Sequence, residues 1–283
     1  MSRLAIVVVS YNARRDLEAC LASLRQSPPS IDHEIVVVDN QSTDGSAEAA
    51  RAAGVRVVDM GRNAGFSAAN NAGIRATTGD LVLLLNSDTI VPAGALDSLI
   101  ERLEATRATV AGPRIVDGNG RPEISFGRMI TPVAELRQKR LMRRYESGEP
   151  TAVARVERET NREHFVDWIT GACLLVRRRD AEAVGLLDER FFLYTEDVDF
   201  CASIRARGGR VLFTPAAHIT HLRGRSRATN PGAANQAYIR SRLAFYEKHH
   251  PLWAPVLRAY LGLRHRGLVG GLPRERPTAN GER

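Results

Sequence analysis

Leu81-Val82-Leu83-Leu84-Leu85-Asn86-Ser87-Asp88 decides the architecture: five apolar residues without interruption, then an abrupt polar turn. A strand with one wet face alternates apolar and polar residues, so an unbroken run signals burial on both faces. Ala5-Ile6-Val7-Val8-Val9 before Ser10-Tyr11-Asn12 is built the same way, as is Ile35-Val36-Val37-Val38, after Glu34, before Asp39-Asn40; Val55-Arg56-Val57-Val58 reads as a shorter third strand. Helical patterns separate these runs. Leu17, Cys20, Leu21 and Leu24 mark one face, an Ala-rich helix follows Asp44 as its expected cap, and Phe66 to Ala76 gives a third. Pro92 then opens a helix with Leu96, Leu99, Ile100 and Leu103 on one stripe. The alternation predicts an α/β chain with a mainly parallel sheet and helices on both faces. Ligands of such sheets bind beyond the carboxyl ends of the strands, which gathers Ser10, Tyr11, Asn12, Asp39, Asn40, Asn86, Ser87 and Asp88 into one crevice. Asn, Asp and Ser are also ordinary turn residues, so each has a plain structural alternative.

Downstream, residues 131–164 are polar, rich in Arg and Glu and weakly periodic, which predicts a mobile or helical insertion, a candidate lid. Strand character resumes from Trp168 to Val176. Phe191-Phe192-Leu193-Tyr194-Thr195-Glu196-Asp197-Val198-Asp199 then sets three carboxylates after an aromatic run, at the start of a helix that Gly208-Gly209 ends. Carboxylates are favoured in a first helical turn by the helix dipole, yet against aromatics they are costly to keep charged and unpaired. Arg210-Val211-Leu212-Phe213 reads as a strand, Ala233 to Lys248 as a helix, and the tail after Val269 as disordered.

The 283 residues are 43% hydrophobic and 25% charged, ordinary for a globular chain. Residues 202–283 hold 15 Lys plus Arg against 3 Asp plus Glu, so the net +8 comes from the C-terminal end. That end suits an anionic membrane or a polyphosphate; no nucleic-acid-binding signature accompanies it, and nucleic acid is not expected as a partner. Cys20, Cys173 and Cys201 sit in apolar contexts and read as reduced core residues of a cytoplasmic protein. The chain enters its first strand directly, with no signal-peptide pattern, and no uncharged run reaches the ~18 residues of a spanning helix. Leu252 to Val269, interrupted by Arg258, Arg264 and Arg266, fits an interfacial helix or a packed surface helix.

Neither a Gly-x-Gly-x-x-Gly after the first strand nor a Walker-type loop is present, which argues against dinucleotide binding and ATP hydrolysis. The chain instead resembles the family 2 inverting glycosyltransferases of GT-A fold. The resemblance is carried, in order, by Val8 to Asn12, Val38-Asp39-Asn40-Gln41-Ser42-Thr43-Asp44-Gly45, Asn63-Ala64-Gly65-Phe66, Leu85 to Asp88, Trp168-Ile169-Thr170-Gly171-Ala172 and Glu196-Asp197. It is most similar to rhamnosyltransferase-type enzymes of cell-wall or surface polysaccharide. It implies a Rossmann-like GT-A domain over residues 1–228; the residue pattern and basic charge beyond it predict a C-terminal helical segment over 229–270, peripheral at the inner face of the plasma membrane, and a disordered tail over 271–283.

The resemblance also implies roles. A UDP- or dTDP-sugar donor would be held by Ser10, Tyr11, Asn12, Asp39, Asn63, Gly65, Asn86 and Asp88, with Asp39 accepting the N–H of a uracil or thymine ring. Asn70 and Asn71 either face the same cleft or point to solvent. The Asp-x-Asp motif is reduced here to Asn86-Ser87-Asp88, leaving Asp88 as principal ligand of Mg²⁺ or Mn²⁺. His221 is the second expected ligand, with His218 its rival, and Arg223, Arg225 and Arg227 would face the diphosphate. Asp197 is the implied general base, with Trp168, Gly171 and Glu196 on the acceptor, a saccharide or lipid-linked saccharide. Asp199 points roughly 200° from Asp197 on a 3.6-residue helix and is assigned a structural role. A sugar-phosphate nucleotidyltransferase and a catalytically silent nucleotide-sugar-binding protein are the alternatives.

Overall fold

The computed structural model describes residues 2–222 and 231–264. In chain order the elements are β1 (Leu4–Ser10), α1 (Arg14–Gln26), β2 (His33–Asp39), α2 (Ser46–Ala52), β3 (Arg56–Asp59), α3 (Phe66–Arg75), β4 (Leu81–Asn86), β5 (Thr89–Ile90) and α4 (Ala95–Ala105). The second half adds β6 (Val110–Val116), β7 (Pro122–Glu123), β8 (Phe126–Gly127), α5 (Pro132–Glu146), α6 (Pro150–Thr160), β9 (His164–Val166), β10 (Trp168–Ile169) and β11 (Cys173–Arg177). It closes with α7 (Arg178–Ala183), α8 (Glu196–Ala206), β12 (Val211–His221), α9 (Pro231–His249) and α10 (Ala254–Arg264).

The sheet runs β3-β2-β1-β4-β11-β6-β12-β5. Strands β3, β2, β1 and β4 are mutually parallel, and β12 is parallel to β6. Between the two sets, β11 lies antiparallel to both β4 and β6. The sheet is therefore mixed at its centre. Its strands read as continuous apolar runs because both faces are covered. Leu4, Ile6 and Val8 pack with Leu17, Leu21, Leu96 and Leu99 on one side. Val7 and Val9 face Ala69, Ile74, Phe200 and Ile204 on the other. Cys20, Cys173 and Cys201 are free and buried, as expected of core residues. Burial pushes the Cys20 thiol up to about 12 and raises Cys173 as well.

The run from Trp168 to Val176 is two strands rather than one, broken by a turn at Gly171 that proves central to the site. The polar stretch after 131 folds as two helices, α5 and α6, with α5 opened by Thr131, whose hydroxyl accepts from the Ala134 amide. Helices α9 and α10 close a third apolar cluster, in which Ile239, Leu243, Tyr246, Leu257 and Leu261 meet Phe191 and Val198 of the α8 region. No helix among the described residues is long and apolar enough to cross a membrane.

Candidate active site

The parallel strands deliver their C-terminal residues to one edge, and neighbouring strands do the positioning. Ser10 and Asp39 are register partners of β1 and β2. Both are buried, and the Ser10 carbonyl accepts the Asn40 amide at 2.9 Å. Asp39 Oδ2 accepts from the Ser42 amide at 2.9 Å. Asp39 Oδ1 and Ser10 Oγ have no partner at all. Two neighbouring buried polar atoms left unsatisfied are costly in an apoprotein unless a ligand completes them. A carboxylate oxygen is an acceptor only, so the missing group is a donor, such as the ring N–H of a pyrimidine. Tyr11 lies exposed beside them.

The rest of this lobe is scaffold. Asn12, at φ +50°, accepts the Thr43 amide on Oδ1 at 2.7 Å and donates its own amide to Ser42 Oγ at 2.9 Å. Asn63 Oδ1 accepts from Asn40 Nδ2 at 2.9 Å, and Asn40 Oδ1 accepts the Ala64 amide at 2.8 Å. Asp44 is not the cap of α2, whose N-cap is Gly45; its carboxylate accepts amides of Ser46 and of Arg14, joining the starts of α1 and α2. Its modest burial would raise its pKa, but those bonds outweigh it and hold it below the usual range.

Gly65 corrects an expectation. Its φ is +89°, and a Cβ there would stand 2.5 Å from the Phe192 carbonyl oxygen. The space is filled by protein rather than opened to a diphosphate. Phe192 O accepts the Phe66 amide at 2.7 Å, so the glycine lets the segment before α8 dock on the start of α3. Asn70 and Asn71 are both buried, not solvent-facing. Asn71 clamps Leu187 through its carbonyl and amide, at 2.8 and 3.0 Å, while Asn70 bonds back to Phe66 O.

The second group is built by β5. Thr89 pairs with His221 in antiparallel register, and the Leu222 amide donates to Asp88 O at 2.8 Å. The loop after β4 is thereby pinned to the end of β12, and His221 Nε2 comes to 3.1 Å from Asp88 Oδ1. On the imidazole's other side, Glu123 Oε2 stands 3.5 Å from Nδ1. Burial disfavours the imidazolium, but Asp88 and Glu123 outweigh it and hold His221 up at about 9. Asn86 Nδ2 also approaches Nε2, at 3.4 Å, a weaker contact than the charge-assisted one to Asp88. His218 is exposed, registered against Arg114 beyond a bulge in β12, and away from this cluster.

Asp88 and His221 converge as a hard oxygen and an imidazole. Among the described residues no group of three or more His, Cys, Asp or Glu side chains forms a protein cage. Such a two-donor set fits a divalent cation that completes its shell with water and phosphate oxygens. With a cation bound there, Glu123 would be the outer carboxylate that orients the histidine. No motif announced Glu123; only the pairing of Glu123 with Ile115 brings it there. Arg223, Arg225 and Arg227 lie outside the described residues.

The third group opens α8. Asp197 is half-buried, its Oδ2 accepting the Gly171 amide at 2.9 Å and its Oδ1 the Val198 amide at 2.8 Å. Burial raises its pKa despite these bonds. Glu196 is buried, and its Oε2 has no partner. Burial first, then the charge of Asp197, push its carboxyl well above the usual range. Tyr194 and Thr195 precede them at φ +70° and +74°. Asn12, Gln41, Tyr194 and Thr195 are four of the six non-glycine residues with positive φ among the described residues, and all flank this crevice. Backbone strain costs about 1–3 kcal/mol per residue, and its concentration at one edge points to a functional site.

Gly171 also admits Phe66, since a Cβ at 171 would stand 3.3 Å from that ring and 3.6 Å from Asp197 Cβ. Trp168 is anchored, its indole N–H donating to Arg128 O at 2.8 Å and its ring lying over Gly127. That is a packing role, with an edge left partly open. Asp199 faces away as expected and is held by Lys248 at 2.8 Å and His249 at 2.6 Å.

Residues 5–165 match the model of glycosyl transferase family 2. The N-acetylglucosaminyl-diphospho-decaprenol L-rhamnosyltransferase of Mycobacterium tuberculosis is 31% identical over 94% of this chain and 92% of its own. Among solved structures, the mannosyltransferase PcManGT from Pyrobaculum calidifontis, in complex with GDP-Man and Mn²⁺, superposes at TM-score 0.60 and 19% identity. That match covers 93% of this chain and 70% of the other. GalNAc-T7, solved with UDP, GalNAc and Mn²⁺, gives TM-score 0.58 at 18% identity over 78% of this chain and 43% of that one. The shared sheet, the strand-end crevice and the ordered motifs agree: the chain belongs to glycosyl transferase family 2, and its fold is that of the GT-A glycosyltransferases.

Proposed function

We propose that this glycosyltransferase moves a rhamnosyl or related hexosyl group from a UDP- or dTDP-sugar to a hydroxyl of a lipid-diphosphate-linked saccharide, in the assembly of cell-wall or surface polysaccharide. The observation that carries the reading is the gathering at one end of the sheet of Asp39, with its Oδ1 unpartnered, the Asp88–His221 pair at β4 and β12, and the Asp197 carboxylate opening α8. The relative's acceptor, a diphospho-decaprenol-linked sugar, supports the lipid-linked class. Such an acceptor sets the enzyme against the inner face of the plasma membrane.

Asp39 accepts the ring N–H of the pyrimidine, while the Ser10 hydroxyl serves a neighbouring polar atom. A Mg²⁺ or Mn²⁺ ion, held by Asp88 and His221, supplies neutralising charge to the diphosphate when bound. Asp197 takes the proton of the acceptor hydroxyl as that oxygen attacks the anomeric carbon from the face opposite the diphosphate, inverting its configuration. A raised pKa suits the task, because a carboxylate nearer neutrality is the stronger base. The Gly171 amide fixes its direction. Glu196, whose carboxyl burial pushes well above its usual range, stands beside it to bind the acceptor.

The test is a thermal-shift panel of nucleotide sugars with and without Mn²⁺, followed by transfer assays on the wild type and Asp197→Asn. Uridine or thymidine nucleotides stabilise both proteins, and turnover falls by a factor of ~10² to 10⁴ in the variant. Near-normal turnover would remove Asp197 from the role. Pyrophosphate release from a nucleoside triphosphate and a sugar phosphate would instead indicate nucleotidyl transfer.

A further inference from the structure

Helix α10 is apolar on two separate faces. Ala254, Leu257 and Leu261 point inward to the cluster that also holds Phe191 and Val198, and so sit directly behind the helix of Asp197. Leu252, Trp253, Val256, Tyr260 and Leu263 are exposed, Leu252 at 90% and Leu263 at 74%. Leu252 and Trp253 lie in the turn before α10; within the helix, at 100° per residue, Val256, Tyr260 and Leu263 share one stripe about 120° round from the buried one. A surface helix buries one apolar stripe, and a second one left in water marks an interaction face.

Helix α5 starts next to it. His250, in the turn before α10, stands 2.7 Å from the carbonyl oxygen of Ile130, one residue before the cap of α5, so the two helices begin side by side. Val133 and Leu136 are exposed on α5, and Arg137 and Arg140 follow on the same helical stripe. The sequence of residues 265–283 carries Arg266, Arg274, Arg276 and Arg283 against Glu275 and Glu282, a net positive charge. Apolar and aromatic side chains fringed by arginines match the boundary of an anionic bilayer, where arginine stems lie along the acyl region and their heads meet phosphate. A second copy of the chain would bring like-charged arginines together.

We propose that the outer stripe of α10, with the start of α5, is the surface by which the protein docks on an anionic lipid bilayer. The inference deepens the functional reading above and rests on it for the acceptor's lipid: the surface lies one helix behind the proposed base, where a lipid-anchored saccharide would arrive. It also gives α5, expected as a lid, a different task.

The experiment is co-sedimentation of the full chain with phosphatidylglycerol-containing and pure phosphatidylcholine vesicles, without substrate. Wild type should pellet with the anionic vesicles, and Val256→Asp/Leu263→Asp should lose that partitioning ~tenfold or more with its melting temperature unchanged. Arg137→Glu/Arg140→Glu should lose it in a salt-dependent way. No binding by the wild type, or undiminished binding by the apolar-stripe variant, overturns the proposal. So does a wild-type dimer that the same variant dissolves, since the occupant is then a second copy. Transfer to a detergent-dispersed acceptor separates the two readings: lost vesicle binding with intact transfer refutes only the surface, and absent transfer with intact vesicle binding refutes only the reaction.

Discussion

Glu196→Gln should make the protein's stability less dependent on pH, because Glu196 is 5% exposed, its Oε2 is unpartnered and its carboxyl is pushed well above the ordinary value of 4.5. The folded chain then keeps a proton that the unfolded chain gives up. Above the unfolded value the native state binds more protons, so stability falls as pH rises, until the folded pKa is passed. Each pH unit in that window is worth about 1.4 kcal/mol, and the interval from 4.5 to pH 7 amounts to roughly 3 kcal/mol as a ceiling. Glutamine keeps the shape and does not titrate. Urea unfolding of both proteins at pH 5, 6 and 7 should show the variant gaining on the wild type by about 1 kcal/mol per unit. Any constant cost of burying the amide shifts all three points equally and leaves the slope. A stability difference that stays flat from pH 5 to 7 would show that Glu196 is ionised in the folded protein, and would refute the upward shift that burial gives it.

Asp39→Asn places an amide where one oxygen serves the Ser42 amide and the other is free for a ring N–H; one of the two must then meet a donor, so UDP or dTDP affinity should fall ~10- to 100-fold by calorimetry, and unchanged affinity would exclude the base contact. Gly65→Ala drives a Cβ into the Phe192 carbonyl at φ +89° and should lower stability by about 2 kcal/mol or more; an unchanged melting temperature would mean that the segment before α8 is free to retreat. Lys248→Met leaves the buried Asp199 with His249 alone and should cost about 2–3 kcal/mol; a loss below 0.5 kcal/mol, of the order of an exposed pair, would show that His249 suffices.

The parallel half of the sheet was legible because burial on both faces leaves strands as unbroken apolar runs, and those runs ended in the polar residues that now share one edge. Asp39, Asp88, Asp197 and His221 stand where strand ends and a helix start put them, which is local information. What stayed hidden depends on contacts between distant segments. Glu123 reaches His221 through a two-residue strand with no pattern of its own. Gly65 reads as an opening in sequence because nothing local says that Phe192 fills it. The antiparallel insertion of β11 between β4 and β6 is equally silent, since an apolar strand reads alike in either direction.

The same contacts explain how strained backbone is held at the crevice. Tyr194 and Thr195 could relax if the segment before α8 were free, yet Ser67 Oγ donates to Phe191 O, the Phe66 amide to Phe192 O and Ser241 Oγ to Leu193 O. The last of these comes from α9, and Lys248 and His249 of the same helix grip Asp199, two residues beyond the proposed base. Three consecutive carbonyls are thus tied from two sides before the strained pair begins. The C-terminal helices therefore belong to the architecture of the site: they close the core behind α8 and hold the turn that aims Asp197, while their outer face remains for a surface.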